Sequence, residues 1–383
     1  MPSALAQAPQ RIVAIGDVHG SIEGLTTILK VAGLIDDRSK WIGGTTQFLQ
    51  TGDYMDRGDN VRQVLDLLMS LEPRAQDAGG RALALLGNHE VMNLVGETRD
   101  ATREIYATFA DAGSEKRRQQ AWDNYAKLAA LKKDKGEPVP SVYNQTKEAW
   151  LTTHPAGYAE YREAMGPKGK YGSWLRRRPM VTQMNSTIFM HAGVNPDRAP
   201  ARIDDLNAKL RDEIALMDRF VAQLVDLKLA TPEFTLQEIL QVASSEIGLA
   251  NARIDEARKQ GRELDRGRIN AALLMDAQEV LKIDSWLSIS ADGALWYRGL
   301  STLRDDPAGG PFAALLTRYG ATRFVTGHTP QANRSITVRF GGRAVLIDTG
   351  MLTAVYKGRP SALEIAGEAL TAYYTDGKVA LTK

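Results

Sequence analysis

Short apolar runs that each close on a glycine-flanked polar loop recur along this chain. Arg11 to Ile15 runs into Gly16, and Ser21 to Ala32 then places apolar residues at helical spacing. This predicts a strand, a loop carrying Asp17 and His19, and a helix. The same run-then-loop pattern returns at Gln47 to Gln50 before Gly52-Asp53, and at Ala82 to Leu86 before Gly87-Asn88-His89. It recurs at Ser186 to Met190 before His191, and at Arg323 to Thr326 before Gly327-His328. In an open α/β sheet, loops leaving the carboxyl ends of strands meet along one edge, so five separated motifs can build one site.

Two long polar stretches rich in charged helix formers interrupt this framework, from about Glu97 to Pro179 and from about Arg202 to Trp286. In the second, Asp204 to Leu229 predicts a long amphipathic helix, and Thr235 with Glu238 predicts a capping box. Two placements are open: a helical cap over the catalytic edge, or helices packed away from it. After His328, Ser335 to Phe340 and Arg343 to Ile347 flank Gly341-Gly342, which predicts a hairpin with a two-residue turn. Ala362 to Ile365 and an Asp376-Gly377 turn lead us to expect antiparallel strands that complete a second sheet.

The chain has 383 residues, 43% of them apolar, enough for one large α/β domain with insertions or for two ordinary domains. A net charge of +2 provides no general attraction to nucleic acid or membranes, and no apolar run approaches bilayer-spanning length. Nothing along the chain fixes an oligomeric state. The absence of cysteine removes disulfides, zinc-thiolate sites and a cysteine nucleophile. Residues 1–10 read either as a disordered N-terminus or as the remnant of an export signal, since Ala4-Leu5-Ala6 has the small-x-small form of a cleavage site. The second reading places the protein in the periplasm and the first leaves it cytoplasmic.

The polar loops carry the chemistry. Asp17 and His19 sit two apart, so in an extended segment both side chains leave one face and can grip one ion. Asp53 follows the second run, and a carboxylate can bridge two ions where an imidazole cannot. Asn88, His191 and His328 offer neutral donors for a second ion, and mixed carboxylate, imidazole and amide donors suit manganese, iron or zinc. Of five histidines, His19, His89, His191 and His328 all follow apolar runs; His154 does not and receives no role.

With these blocks in hand, the chain resembles the metallophosphoesterases, and more closely the phosphoprotein phosphatases. The resemblance rests on Gly16-Asp17-Val18-His19-Gly20, Gly52-Asp53-Tyr54-Met55-Asp56-Arg57-Gly58 and Gly87-Asn88-His89-Glu90, followed by His191-Ala192-Gly193 and Gly327-His328-Thr329. Ser173-Trp174-Leu175-Arg176, Leu295-Trp296-Tyr297-Arg298-Gly299-Leu300 and Ile347-Asp348-Thr349-Gly350 resemble its bacterial-type, Shewanella-like branch.

The resemblance covers about Arg11 to Gly350 apart from the insertions and implies a four-layer α/β/β/α sandwich; with the insertions read as a helical cap, one domain spans 11–383. It implies one divalent ion, manganese first and iron or zinc as alternatives, on Asp17, His19 and Asp53. A second would lie on Asp53, Asn88, His191 and His328. It further implies direct attack by a metal-bridging hydroxide, His89 as general acid oriented by Asp56, and Arg57 and Arg298, with Asn88, for the substrate phosphate. A packed strand end is the other reading of Arg298. Glu90 is either a support to the site or solvated. Arg176-Arg177-Arg178 is either a rim that attracts acidic phosphopeptides or a solvated face. The expected substrate is a phosphorylated protein or peptide, on tyrosine or on serine and threonine; a small phosphoester such as a dinucleoside polyphosphate or a phosphodiester is the alternative. A scaffold that keeps the fold without catalysis would have lost a ligand or the acid, and every position is filled.

Overall fold

The computed structural model describes residues 10–133, 140–263 and 269–381; Ala4-Leu5-Ala6 lies outside them. Among the described residues the chain divides into two compact units. One comprises Met1–Glu90, Arg178–Ala208 and Ala291–Lys383, the other Val91–Arg177 and Lys209–Ser290. No helix among the described residues is long and apolar enough to cross a membrane.

The first unit holds two sheets. Strands β1 (Arg11–Ile15), β2 (Gln47–Gln50) and β3 (Arg81–Ala84) pair in parallel. Strands β4 (Val181–Met184), β5 (Thr187–Met190), β6 (Arg323–Thr326), β7 (Thr337–Arg339) and β8 (Ala344–Leu346) form the second sheet in the order β4-β5-β6-β8-β7, with β5, β6 and β8 parallel. Alternation along the strands turns Ile12, Ala14, Leu49 and Leu83 of one sheet and Phe189, Val325 and Val345 of the other into one shared apolar core. The opposite faces are covered as well: helices Ile22–Val31 and Val61–Asp77 pack on the first sheet, and Ile188, Met190 and Phe324 of the second are buried.

The C-terminal strands depart from expectation. Strands β9 (Ser361–Ala366), β10 (Ala369–Tyr374) and β11 (Gly377–Ala380) form an antiparallel meander that extends the first sheet, with β9 against β1, instead of completing the second. Strand β1 is paired with β2 on one side only, and β9 fills its free edge while sending Leu363 and Ile365 into the inter-sheet core. The expected hairpin forms, but its turn is a 3-10 turn over Phe340–Gly342. Phe340 is fully buried at φ +53 and meets the edge of Phe312 at 4.9 Å, so core packing draws the turn inward.

The register positions the site. Ile15, Gln50 and Ala84 stand level at the carboxyl ends of β1, β2 and β3, and Met190, Thr326 and Leu346 stand level in β5, β6 and β8. Six parallel strand ends therefore deliver six loops.

The second unit is helical. Helix Asp204–Asp226, which begins in the first unit, buries Leu206, Leu210, Ile214, Met217, Phe220 and Leu224 on one face, and helix Leu236–Lys259 opens on the expected Thr235–Glu238 capping box. His154 lies in this unit's core, its ring 4.0 Å from that of Trp150 and nearly parallel, with Nε2 3.3 Å from Glu233 O.

Burial holds the His154 pKa below its ordinary 6.5. The unfolded chain takes up a proton as pH falls through that value while the folded chain resists. The associated stability is therefore present above about pH 6.5 and lost below it, at up to about 1.4 kcal/mol per pH unit. Denaturation followed by tryptophan fluorescence should show the stability of wild type relative to His154→Phe falling between pH 7 and pH 5. A gap independent of pH would refute this.

Candidate metal centre

The loop of residues 51–57 organises the site. The backbone carbonyl of Asp53 accepts from Val18 N and His19 N at 2.9 and 3.0 Å, which joins the first two loops. Gly87 comes so close that a Cβ there would stand 2.2 Å from Asp53 Oδ1. His19, Asp53, Asp56, Arg57 and His328 all take positive φ, between +46° and +68°. Left-handed backbone at non-glycine residues is sparsely populated and concentrates where a site must aim side chains.

Ring tautomers follow from the partners of the far nitrogens. His19 Nδ1 donates to Met55 O at 2.9 Å and His191 Nδ1 to Thr51 O at 3.1 Å, while His328 Nε2 donates to Trp296 O at 3.2 Å. Each ring thus keeps a lone pair pointing inward. His191 Nε2 and His328 Nδ1 stand 3.1 Å apart with no proton between them, and Asn88 Oδ1 and Asp53 Oδ2 lie 2.9 and 3.2 Å from the same His191 nitrogen. On the other side, His19 Nε2 faces Asp53 Oδ2 at 3.8 Å and Asp17 Oδ2 at 3.9 Å. Arg57 Nη1 is a donor 3.3 Å from His19 Nε2, and acceptors that outnumber donors in this way repel one another unless a cation sits among them. The residues therefore offer two candidate cation sites that share Asp53, one among His19, Asp53 and His89 with Asp17 beside it, the other among Asp53, His191 and His328 with Asn88 beside it.

The electrostatics agree. Burial, then the Asp348 and Asp53 carboxylates, push Asp17 well above the ordinary carboxylate value, and burial carries Asp348 up to about 6. Burial takes His19 down to about 3 and His328 to about 2, leaving them neutral as ligands must be. For Asp53 burial acts upward, but the neighbouring imidazoles, His89 among them, outweigh it and hold the group well below the usual range. His89 differs from the ligand histidines. Its Nδ1 meets Asp56 Oδ2 at 2.9 Å, and although burial opposes the charge, Asp53 and Asp56 raise its pKa above 6.5. Its Nε2 lies 3.8 Å from Asp53 Oδ2, and the ligand atoms of His19, Asp53 and His89 fall within 4.8 Å of one another.

All ten residues expected at the site lie in the first unit. Arg57 Nη1 stands 3.3 Å from His19 Nε2. Arg298 is exposed, its Nη1 on His328 O and Thr329 Oγ1. The solvated reading of Glu90 is overturned: it is fully buried, and its carboxylate accepts from the amides of Gly87, Asp53, Tyr54 and Met55 at 2.7 to 3.0 Å. Asp348, quoted from the sequence but given no role, stands against Asp17 at the end of β8 and repeats the strand-then-loop form of the other motifs. The basic run is largely spent in ion pairs, Arg176 with Asp218 and Arg178 with Glu72, which leaves Arg177 exposed.

A family model described as calcineurin-like phosphoesterase matches residues 10–215. Shewanella-like protein phosphatase 2 of Arabidopsis thaliana is 30% identical over 215 residues, 54% of this chain and 52% of that protein, so the match spans about half of that relative. Shewanella-like protein phosphatase 1 of Plasmodium berghei is 24% identical over 354 residues, 91% of this chain and 69% of that protein. Among solved structures, the cold-active protein-tyrosine phosphatase of a psychrophilic Shewanella species superposes with a TM-score of 0.55 at 21% identity, over 98% of this chain and 81% of that one. At that identity the likeness speaks for the fold.

Removing metal should lower the melting temperature, because the buried carboxylates of Asp17 and Asp53 then share the centre without a cation. Melting curves with chelator and with manganese at pH 7 check this; equal melting temperatures would refute it. Glu90→Gln, which turns an amide group toward backbone donors, should cost about 1–3 kcal/mol and reduce the metal retained through gel filtration.

Proposed function

The chain belongs to the calcineurin-like phosphoesterase family, a family of metal-dependent phosphatases, and we propose that it is a two-metal phosphomonoesterase acting on phosphorylated protein side chains. The observation that carries this reading is the pair of donor sets sharing Asp53, with inward lone pairs and a separate histidine, His89, kept protonated beside them by Asp56. The extended match to relatives named as protein phosphatases supports a protein substrate, on phosphotyrosine or on phosphoserine and phosphothreonine.

Two divalent ions on these ligands, manganese first and iron or zinc suited to the same donors, would polarise the phosphoryl oxygens and lower the pKa of water. The chain's own residues do the rest. Asp56 holds His89 Nδ1–H, so the ring presents Nε2–H for transfer to the oxygen that leaves phosphorus. Arg57, half-buried beside His19, offers paired donors to phosphate oxygens, and Arg298 adds donors at the His328 side. Asn88, whose Oδ1 lies 2.9 Å from His191 Nε2, would serve the second ion and stand beside the substrate phosphate.

Three measurements test this. Metal-stripped enzyme restored with manganese should release phosphate from phosphotyrosine, phosphoserine or phosphothreonine peptides in preference to a dinucleoside polyphosphate or an aryl phosphodiester. The opposite preference would move it to the small-molecule branch. Asp53→Asn should abolish turnover while circular dichroism stays native, and retained activity would contradict a shared carboxylate. His89→Gln should reduce kcat by about 10²–10⁴-fold on alkyl phosphates, and by less on p-nitrophenyl phosphate, whose leaving oxygen needs little protonation.

A further inference from the structure

Arg57 is a half-buried arginine that makes no ion pair among the described residues. Its Nη1 lies 3.3 Å from the inward nitrogen of His19, and its guanidinium carbon lies 5.6 Å from the centre of the Tyr356 ring. That ring also lies 5.5 Å from the ring of His19, inclined by 30°. A guanidinium on a flexible stem has many rotamers to lose, and with no ion-paired carboxylate to hold it, an aromatic face within 6 Å is the group that can restrict it.

The chain behind Tyr356 is built to put the ring there. Asp348 Oδ1 accepts from Gly350 N at 2.9 Å, and Gly350 takes φ +72°. A Cβ at residue 350 would stand 2.8 Å from Tyr356 Cβ, so only glycine lets the short Thr353–Tyr356 helix fold back this closely. The Tyr356 phenol oxygen is buried and has no hydrogen-bond partner among the described residues. The contacts to Arg57 and His19 are made by the ring.

Resting on the phosphatase reading above, we propose that Tyr356 is a positioning residue whose ring holds the Arg57 guanidinium at the mouth of the metal centre, ready for the substrate phosphate. This gives the Asp348-Thr349-Gly350 motif a purpose beyond its place at a strand end: it seats the residue that seats the phosphate clamp. Arg57 binds phosphate in ground state and transition state alike, so losing its support should weaken binding more than it slows chemistry.

Isothermal titration of inorganic phosphate into the manganese-loaded enzyme tests this without turnover. Tyr356→Leu should weaken phosphate binding about tenfold and raise KM for p-nitrophenyl phosphate by a similar factor, with kcat within about twofold. Manganese content should be unchanged. Tyr356→Phe should bind as wild type, and Tyr356→Leu should add nothing in an Arg57→Gln background. A Phe variant as weak as Leu would overturn the proposal in favour of a hydroxyl contact with the ligand. Loss of manganese together with kcat would overturn it in favour of support to His19. Additive effects of the two substitutions, or a wild-type enzyme that binds no phosphate, would overturn it outright. Wild type that binds phosphate through this pair yet hydrolyses no phosphomonoester would remove the phosphatase reading and leave the proposal standing.

Discussion

The burial of one carboxylate, Asp53, is the constraint from which the local structure follows. It is 2% exposed, and its oxygens lie within 4 Å of nitrogens of His19, His89 and His191. A buried charge is costly unless compensated. The chain compensates in part, with His89 N on Asp53 Oδ1 at 3.1 Å and the surrounding imidazoles, and leaves the remainder to cations. Holding the group in place imposes further conditions. Residue 53 adopts φ +57°, residue 87 has no side chain because Asp53 occupies that space, and Glu90 collects the amides that the turned backbone would otherwise bury without acceptors. Backbone strain of this kind costs on the order of 1–3 kcal/mol per residue, and it gathers in the loop where the charge is.

Two sheets serve this better than one. Parallel strands paired in register end at one level, so β1, β2 and β3 present Asp17, His19, Asp53 and Asn88 together, and β5, β6 and β8 present His191, His328 and Asp348. The spacing between the two sets is governed by the core between the sheets, where Leu49 and Leu83 face Phe189, Val325 and Val345. Interiors packed at crystal-like density transmit volume changes, so metal geometry and core packing are coupled at positions that never touch the site.

What could be read from the sequence is what is local. The strand-then-loop motifs are local, and four histidines in parallel contexts out of five make them conspicuous. The Thr235–Glu238 capping box is also local and forms as expected. Asp348 ends a strand in the same way, but an aspartate among many acidic residues lacks the rarity that singles out a histidine. Glu90 stayed open between support and solvation because its role depends on positive φ values at Gly52 and Asp53 in the preceding motif, where three amides join that of Gly87 around it. Alternation identified β9 as a strand without saying which sheet edge stood free. Charge density at Arg176-Arg177-Arg178 revealed a basic run but not the partners that neutralise two of its members.

The histidines show how one residue type is divided between two tasks. His19, His191 and His328 each donate to a backbone carbonyl, of Met55, Thr51 and Trp296, which fixes a tautomer without supplying charge. For His19 and His328 burial then dominates, and their pKa values fall to about 3 and about 2. His89 instead meets the Asp56 carboxylate, and its pKa rises. A carbonyl behind the ring makes a neutral ligand, whereas a carboxylate behind it makes an acid that retains its proton. Thr51, Met55 and Asp56 belong to the same short loop as Asp53 and Arg57. One turn of backbone thus supplies the carboxylate common to both candidate cation sites, the arginine beside His19, the carbonyl partners of a histidine from each sheet, and the carboxylate behind the fourth. Substitutions that only bend this loop should therefore disturb metal binding and proton transfer together, although they delete no functional side chain.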